Sequence, residues 1–590
     1  MMEVRTMRNS LRVLCAALAA AAFGGFLGGC SGGDTAQTQA DPGPQGSGVN
    51  LAAVPPSAYP LPDENEAVRF LNQASFGAND AEIAKTRQYG YSAILEDQFF
   101  MPSPRTHEGY VNAVGASTLG DEHVMHTFWR EAATGQDQLK RRVAFALSQI
   151  FVISLQDANL QNYRRGVASY LDMLTRNAFG NYRELLQDVT LHPMMGLYLS
   201  HLRNRKEDPA TNRVPDQNYA REVMQLFSIG LYQLNPDGTL VLDGSGQPIE
   251  TYGPNDIVGL SRVFTGFSWA GCSSTSTSCF NGSGTQSPNR EVLPMQPFPQ
   301  FHSTSEKSFL GTTIPASTAS DPLGDLNRAL DVIASHPNVG PFLGRQLIQR
   351  LVTSNPSPAY VGRVAQAFNT GRYQSGAYTV GSGQRGDLKA TVAAILLDVE
   401  ARTAPTGNPG KTREPVLTLA QWMRAFSARS ASGNFLIGTT DNPANSLGQS
   451  PMRSPTVFNF YRPGYVPPNT AIAAASLVAP ELQIVNEVSV VGYSNFMRSI
   501  VQSGVGSNSP RDVQPGYAAE IALAHDANLL VDRVSLLLTA GSMTAGTRNL
   551  IVTAVNSVPY PGSNEATARL NRARMAVFFT LSSPDYLVQK

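Results

Sequence analysis

Cysteine is scarce in this sequence, with four in 590 residues. Two of them, Cys15 and Cys30, fall in the N-terminal apolar stretch, which leaves Cys272 and Cys279 for the rest of the chain. No Cys-x-x-Cys occurs, and two thiols without further soft ligands build neither a zinc site nor a dithiol redox centre. Net charge is absent as well. The 45 Lys and Arg balance 45 Asp and Glu, so no basic excess draws in nucleic acid. Charged residues reach only 15%, against roughly 25% in average proteins, and 51 Gly with 39 Pro imply long uncharged loops between elements. Outside the N-terminal stretch, where Gly29 to Gly33 matches by composition, no Gly-x-Ser-x-Gly is present, and no His-Glu-x-x-His occurs. The segment Gly407 to Thr412 ends like a phosphate loop but has Pro405 where the first glycine belongs. The common serine-hydrolase, zinc-protease and nucleotide-binding signatures are therefore missing.

What is present begins with Arg5, Arg8 and Arg12, followed by an apolar run from Val13 to Leu27 and then Gly28-Gly29-Cys30. The run is too short to span a bilayer comfortably, and the pattern resembles a bacterial lipoprotein signal over residues 1–29. It implies cleavage before Cys30 and acylation of that thiol, so that the protein meets the membrane through its lipid. Ser31 rather than Asp after the cysteine implies sorting to the outer membrane in a Gram-negative envelope. Residues 30–57, rich in Gly, Pro, Gln, Ser and Ala, read as a flexible tether. In an oxidising compartment, Cys272 and Cys279, with six residues between them, are expected to form a local disulfide.

Residues 58–590 read as a large all-α domain, divisible into lobes at about 58–315 and 316–590. One small β-hairpin interrupts it, Leu231 to Leu234 and Thr239 to Leu242 around Asn-Pro-Asp-Gly. Val143 to Ile153 is apolar on nearly every side and reads as a central buried helix. Ser454 to Pro463 is too proline-bound for a helix and too aromatic for a free loop, so it must pack on something.

The stretch from Asp216 to Gly230 is the most informative helix. It starts at Pro215 and Asp216, ends at Gly230, and gathers Asn218, Arg221, Glu222, Gln225 and Ser228 on one side. Glu222, at the edge of that stripe, is expected to be partly buried and paired with Arg262, Lys307 or Asn218. Asp256, Arg262, His302 and Lys307 complete a candidate polar cleft. His123 and His126 stand one helical turn apart, a spacing that can chelate a metal. Without a carboxylate partner they read as an ordinary helix start. His192 and His336 each precede proline and mark helix boundaries.

Several phrases, in order, resemble the bacterial "domain of unknown function 1800" family. They are Asn177 to Leu186, His192-Pro193-Met194-Met195-Gly196, Asn218-Tyr219-Ala220-Arg221-Glu222, Phe264-Thr265-Gly266-Phe267, and His302 with Lys307. Leu351 to Pro356, Arg413-Glu414-Pro415, Val457-Phe458-Asn459-Phe460 and Pro480-Glu481-Leu482-Gln483 continue the match. The resemblance spans about Glu66 to Gln589. It implies an exported helical protein, with a second exported protein resembling sulfatases and alkaline phosphatases as its partner, and it names no cofactor. Many relatives carry Phe-Trp-His-x-His-Phe where this chain reads Ala146 to Phe151, and Glu where it has Gln217 and Gln225. Two functions remain: a lipid-anchored helical scaffold or binding protein, and an exported enzyme of the hydrolase kind centred on Glu222.

Overall fold

Helices make up about 49% of the chain and strands occur only as short antiparallel pairs, which is the all-α class expected. The computed structural model describes residues 46–115, 117–403 and 410–590. The expected signal, Cys30 and the tether up to residue 45 lie outside the described residues, as do positions 404–409 of the glycine-lysine segment. All described residues belong to one compact unit.

Local chemistry sets the helix starts. Asp63 accepts from the Glu66 amide while Glu66 accepts from the Asp63 amide, a reciprocal cap opening Glu64–Ala74. Proline opens the helices Pro254–Val263, Pro322–Ser335, Pro358–Thr370 and Pro415–Ala425, where its missing N–H costs nothing. Their apolar faces meet in one core cluster that runs from Ala67 to Tyr586, and a small satellite of Cys279, Phe280 and Phe298 sits under the long 268–301 loop.

The central helix ends earlier than its apolar run. It spans Gln138–Ser148, and the chain then turns so that the Leu155 amide donates to Met452 O (2.8 Å) and Ser154 Oγ to Ser454 O (2.7 Å). Burial, which the sequence showed, did not require the helix to continue. The helix expected from Asp216 to Gly230 spans only Asn218–Gln225. Beyond it Ile229 and Gly230 N–H both fold back onto Met224 O, and Gly230 takes φ 72° against the Phe342 ring, a conformation that favours glycine.

The expected hairpin is not a regular ladder. Residues 231–251 form a meander of single bridges, Tyr232 with Glu250, Leu234 with Leu240, and Leu242 with Pro248. Proline at positions 236 and 248 and two Asp-Gly turns leave too few consecutive amides for a strand. The regular pairs lie elsewhere, among them Lys307–Phe309 with Thr312–Ile314, and Lys411–Thr412 with Val588–Gln589 near the C-terminus. Residues 46–57, expected within the tether, run against the domain, where Ser47 Oγ donates to Asp97 and Ser92 Oγ to Pro55 O.

His192 ends the helix Tyr182–Leu191 and caps the next, Pro193–Tyr198, by accepting from the Met194 amide. Its Nε2 is buried without a partner. Burial, with the nearby Arg176 charge, holds its pKa down to about 3. Unfolded, it takes a proton below about 6.5, so its contribution to stability is complete above that pH and is lost as pH falls from 6.5 towards 3. Asparagine can make the same cap without titrating. His192→Asn is therefore expected to gain about 2 kcal/mol relative to wild type between pH 7 and pH 5. Urea unfolding at the two pH values checks it, and an unchanged difference would show that the histidine titrates normally.

Candidate functional site

The predicted cleft residues separate into two groups. His302 and Lys307 both reach Asp325, with Nε2 and Nζ at 3.0 and 2.9 Å from Oδ2. His302 Nδ1 sits 2.8 Å from Thr265 O and its ring is fully buried. Asp256 caps its own helix through the Gly253 amide and accepts from the Leu310 amide, both at 2.7 Å, which staples that helix to the Lys307 hairpin. Arg262 donates to Glu306 O (2.6 Å). These four therefore tie helix to hairpin, and no described hydrogen bond or ion pair joins them to Asn218, Arg221 or Glu222.

Glu222 is buried at 7% exposure, as expected, but the expected partners do not reach it. Its Oε2 has no hydrogen bond among the described residues, and the neighbouring charge that favours its ionised form is the exposed Arg221. Burial accordingly raises its pKa, with Arg221 opposing. A carboxyl raised in the folded state adds stability below its ordinary pKa that is lost as pH rises. Glu222→Gln should thus stabilise the protein at pH 7 and lose that advantage below about pH 4.5. Thermal unfolding at both pH values reads it; strong destabilisation at pH 7 would mean a cation holds this carboxylate after all.

His123 Nδ1 lies 3.0 Å from the Gly120 amide at the start of the helix Asp121–Thr134, and its ring stands edge-on to His126 with centroids 5.2 Å apart. Among the described residues no group of three His, Cys, Asp or Glu could hold a metal. Cys272 and Cys279 are free thiols, not the disulfide expected. Ser276 caps the short helix Thr277–Asn281 through the Cys279 amide, and the two sulfurs meet as a hydrogen-bonded pair.

A further concentration of buried charge lies where the family phrases of the second half converge. Lys411 is 1% exposed, with Nζ at 3.5 Å from Glu414 Oε1, 3.3 Å from Glu481 Oε1 and 2.8 Å from Arg350 O. The short strand beside Val588–Gln589 positions Lys411, and Glu414 is the residue before the helix Pro415–Ala425. Glu481 comes from the 3-10 turn Pro480–Ile484. Arg142, from the central helix, donates through Nη2 to Arg350 O (2.6 Å). Gln149 and Gln449 donate to Glu414 Oε2. The extended segment, which had to pack on something, packs here, with Tyr461 and Asn459 buried.

Two carboxylates share one lysine, and their environments separate them. Burial pushes Glu414 up, but Lys411, Arg142 and the two amides outweigh it and leave its pKa lowered. Burial raises Glu481, and Lys411 does not offset it because Glu414 adds its own repulsion. Glu414 is therefore the anion of the pair and Glu481 the carboxyl that keeps its proton more readily. Burial lowers the pKa of both Arg142 and Arg350.

A cavity of about 630 Å³ opens beside this network. One face of the helix Val339–Leu351 supplies Phe342, Arg345, Gln346, Gln349 and Arg350, at the spacing that places residues on a single helical side. The end of the Asn218 helix and the turn after it add Gln225, Leu226 and Leu231. Val457, Phe458 and Arg462 from the extended segment close the remaining side. Among the described residues three arginines line this space, and no carboxylate, serine, threonine, cysteine, histidine or lysine does. A second cavity, about 330 Å³, is bounded by Lys85, Asp97, Glu82 and Arg424, whose charges pair with one another at 2.7 and 2.6 Å.

Sequence reasoning placed its site on the Asn218 helix and reached the cavity only through Gln225. The missed signal was a set of charged residues, Arg413, Glu414 and Glu481, inside otherwise apolar or proline-framed phrases. A family model described as "Protein of unknown function (DUF1800)" matches residues 69–588. No curated protein and no solved structure matches the chain.

Proposed function

This chain belongs to the DUF1800 family, a family of unknown function, and on that premise we propose that it is a helical binding protein of the bacterial envelope, held there by a lipid on Cys30. The observation that carries the binding half is the composition of the larger cavity. Its 630 Å³ lies within the range of small-molecule sites, its walls are apolar with arginine and amide groups, and among the described residues its lining includes one hydroxyl, on Tyr232, and no carboxylate, thiol or imidazole. Such walls suit holding a ligand.

The anchoring half rests on the Arg-led signal and its Gly28-Gly29-Cys30 end. Outer-membrane sorting, and a partnership with an exported sulfatase- or phosphatase-like protein, follow from Ser31 and from the family resemblance. The enzyme reading around Glu222 lacks support from geometry, since Glu222, Arg221 and Asn218 line neither cavity.

Native mass spectrometry of the protein, extracted in mild detergent from its own membrane, tests both halves. The expected result is an acylated N-terminal Cys30 and a small molecule that leaves on denaturation. An unmodified N-terminus contradicts the anchor, and a chain that carries nothing contradicts the binding role.

A further inference from the structure

We infer that the larger cavity takes an amphipathic anion, a carboxylate or phosphate head on an apolar body. This rests on the binding role proposed above and adds the class of ligand. In a chain whose charges balance overall, a cavity with three arginines and no carboxylate on its walls is a local excess of one sign. Arg345 makes no hydrogen bond or ion pair among the described residues. Arg462 makes no ion pair there either, and its guanidinium lies 4.4 Å over the Phe458 ring, which holds it at the rim.

Deeper in the wall, Arg350 is 3% exposed with Nε unpartnered, and Gln346 is 7% exposed with its Nε2 donor unpartnered. The same wall leaves two acceptors unmet, Gln149 Oε1 and Gln349 Oε1, so it suits a ligand with polar atoms of both kinds, and the arginines, of which Arg350 keeps an unmet donor, set the sign of its charge. Behind Arg350, three cations, Lys411, Arg142 and Arg350 itself, face two carboxylates, and the network has no anion to spare for the cavity. Planar guanidinium groups match carboxylate and phosphate oxygens in two-point contact. The remaining wall, with Leu226, Phe342, Val457 and Phe458, would cover an apolar body.

Titration calorimetry of the mature protein with decanoate, decyl phosphate and decanol, below their aggregation limits, tests the inference. Binding of either anion at least tenfold tighter than decanol is the expected result, and the tighter of the two identifies the head group. Arg345→Gln, at an exposed position, should weaken the anion at least tenfold and leave decanol unchanged. Gln346→Leu should do likewise by removing the buried donor. Equal binding of decanol and the anions overturns the inference while leaving the binding role standing, and no binding of any of the three overturns both.

Discussion

Replacing Lys411 with methionine is expected to cost about 3–5 kcal/mol of folding stability at pH 7, the usual penalty for leaving a buried charge without its partner. Among the described residues the lysine is the only cation in ion-pair contact with both Glu414 and Glu481, and all three side chains are essentially sealed from water. Methionine fills a similar volume, so lost packing contributes little and the change reports on charge. Arg142 still acts on Glu414, but it makes no salt bridge of 4 Å or less to it. Glu481, already held towards its neutral form, can keep its proton and escape most of the penalty, so the burden falls on Glu414. The loss should therefore shrink in acid, where protonating Glu414 becomes cheap. Urea unfolding at pH 7 and pH 4.5 would show it; a loss below 1 kcal/mol at pH 7 would mean that the network rearranges freely.

The second large effect is expected at Glu131. This carboxylate is 2% exposed in the helix Asp121–Thr134 and is flanked by Arg105 and Arg130, both with Nε at 3.0 Å, and by Arg141 at 3.9 Å. Asp137 compensates Arg141 (3.0 Å). Glu131→Gln keeps shape and some hydrogen bonding while removing the charge that two guanidinium groups share, and about 3–5 kcal/mol should be lost. Because the helix Gln138–Ser148 carries both Arg141 and Arg142, the variant should also loosen the wall behind the cavity, which hydrogen exchange of residues 138–155 would report. A variant as stable as wild type would show that these arginines find water instead.

The helical class was legible because its signals are local. Caps such as Asp63 with Glu66, prolines at first turns, and 3.6-residue apolar spacing act within a few residues and survive without knowledge of the partners. Helix ends were less legible. Val143 to Ile153 is apolar throughout because all of it is buried, and burial alone does not separate the helix that stops at Ser148 from the turn that continues to Met452's neighbourhood. The polar stripe on the Asn218 helix was read correctly for the burial of Glu222 and incorrectly for its partners, since Arg262 and Lys307 are taken by Glu306 O and Asp325.

The buried network was beyond sequence reading for a different reason. Arg142, Arg350, Lys411, Glu414 and Glu481 are brought together from five separate elements. No periodicity links positions so far apart, and Lys411 stood in a segment that drew notice only as a failed phosphate loop. What the sequence did carry was the order of the family phrases, and their convergence on one wall appears only once the chain is folded.

A crystal structure of the mature protein with decanoate or decyl phosphate bound tests the account most directly. The predicted result is a ligand lying between the helix Val339–Leu351 and the segment 454–463, its head within hydrogen-bond reach of Arg345 and Arg350 and its tail against Phe342 and Phe458. A ligand held elsewhere, or Phe458 and Phe342 collapsed together with the cavity filled by the protein's own side chains, would contradict it.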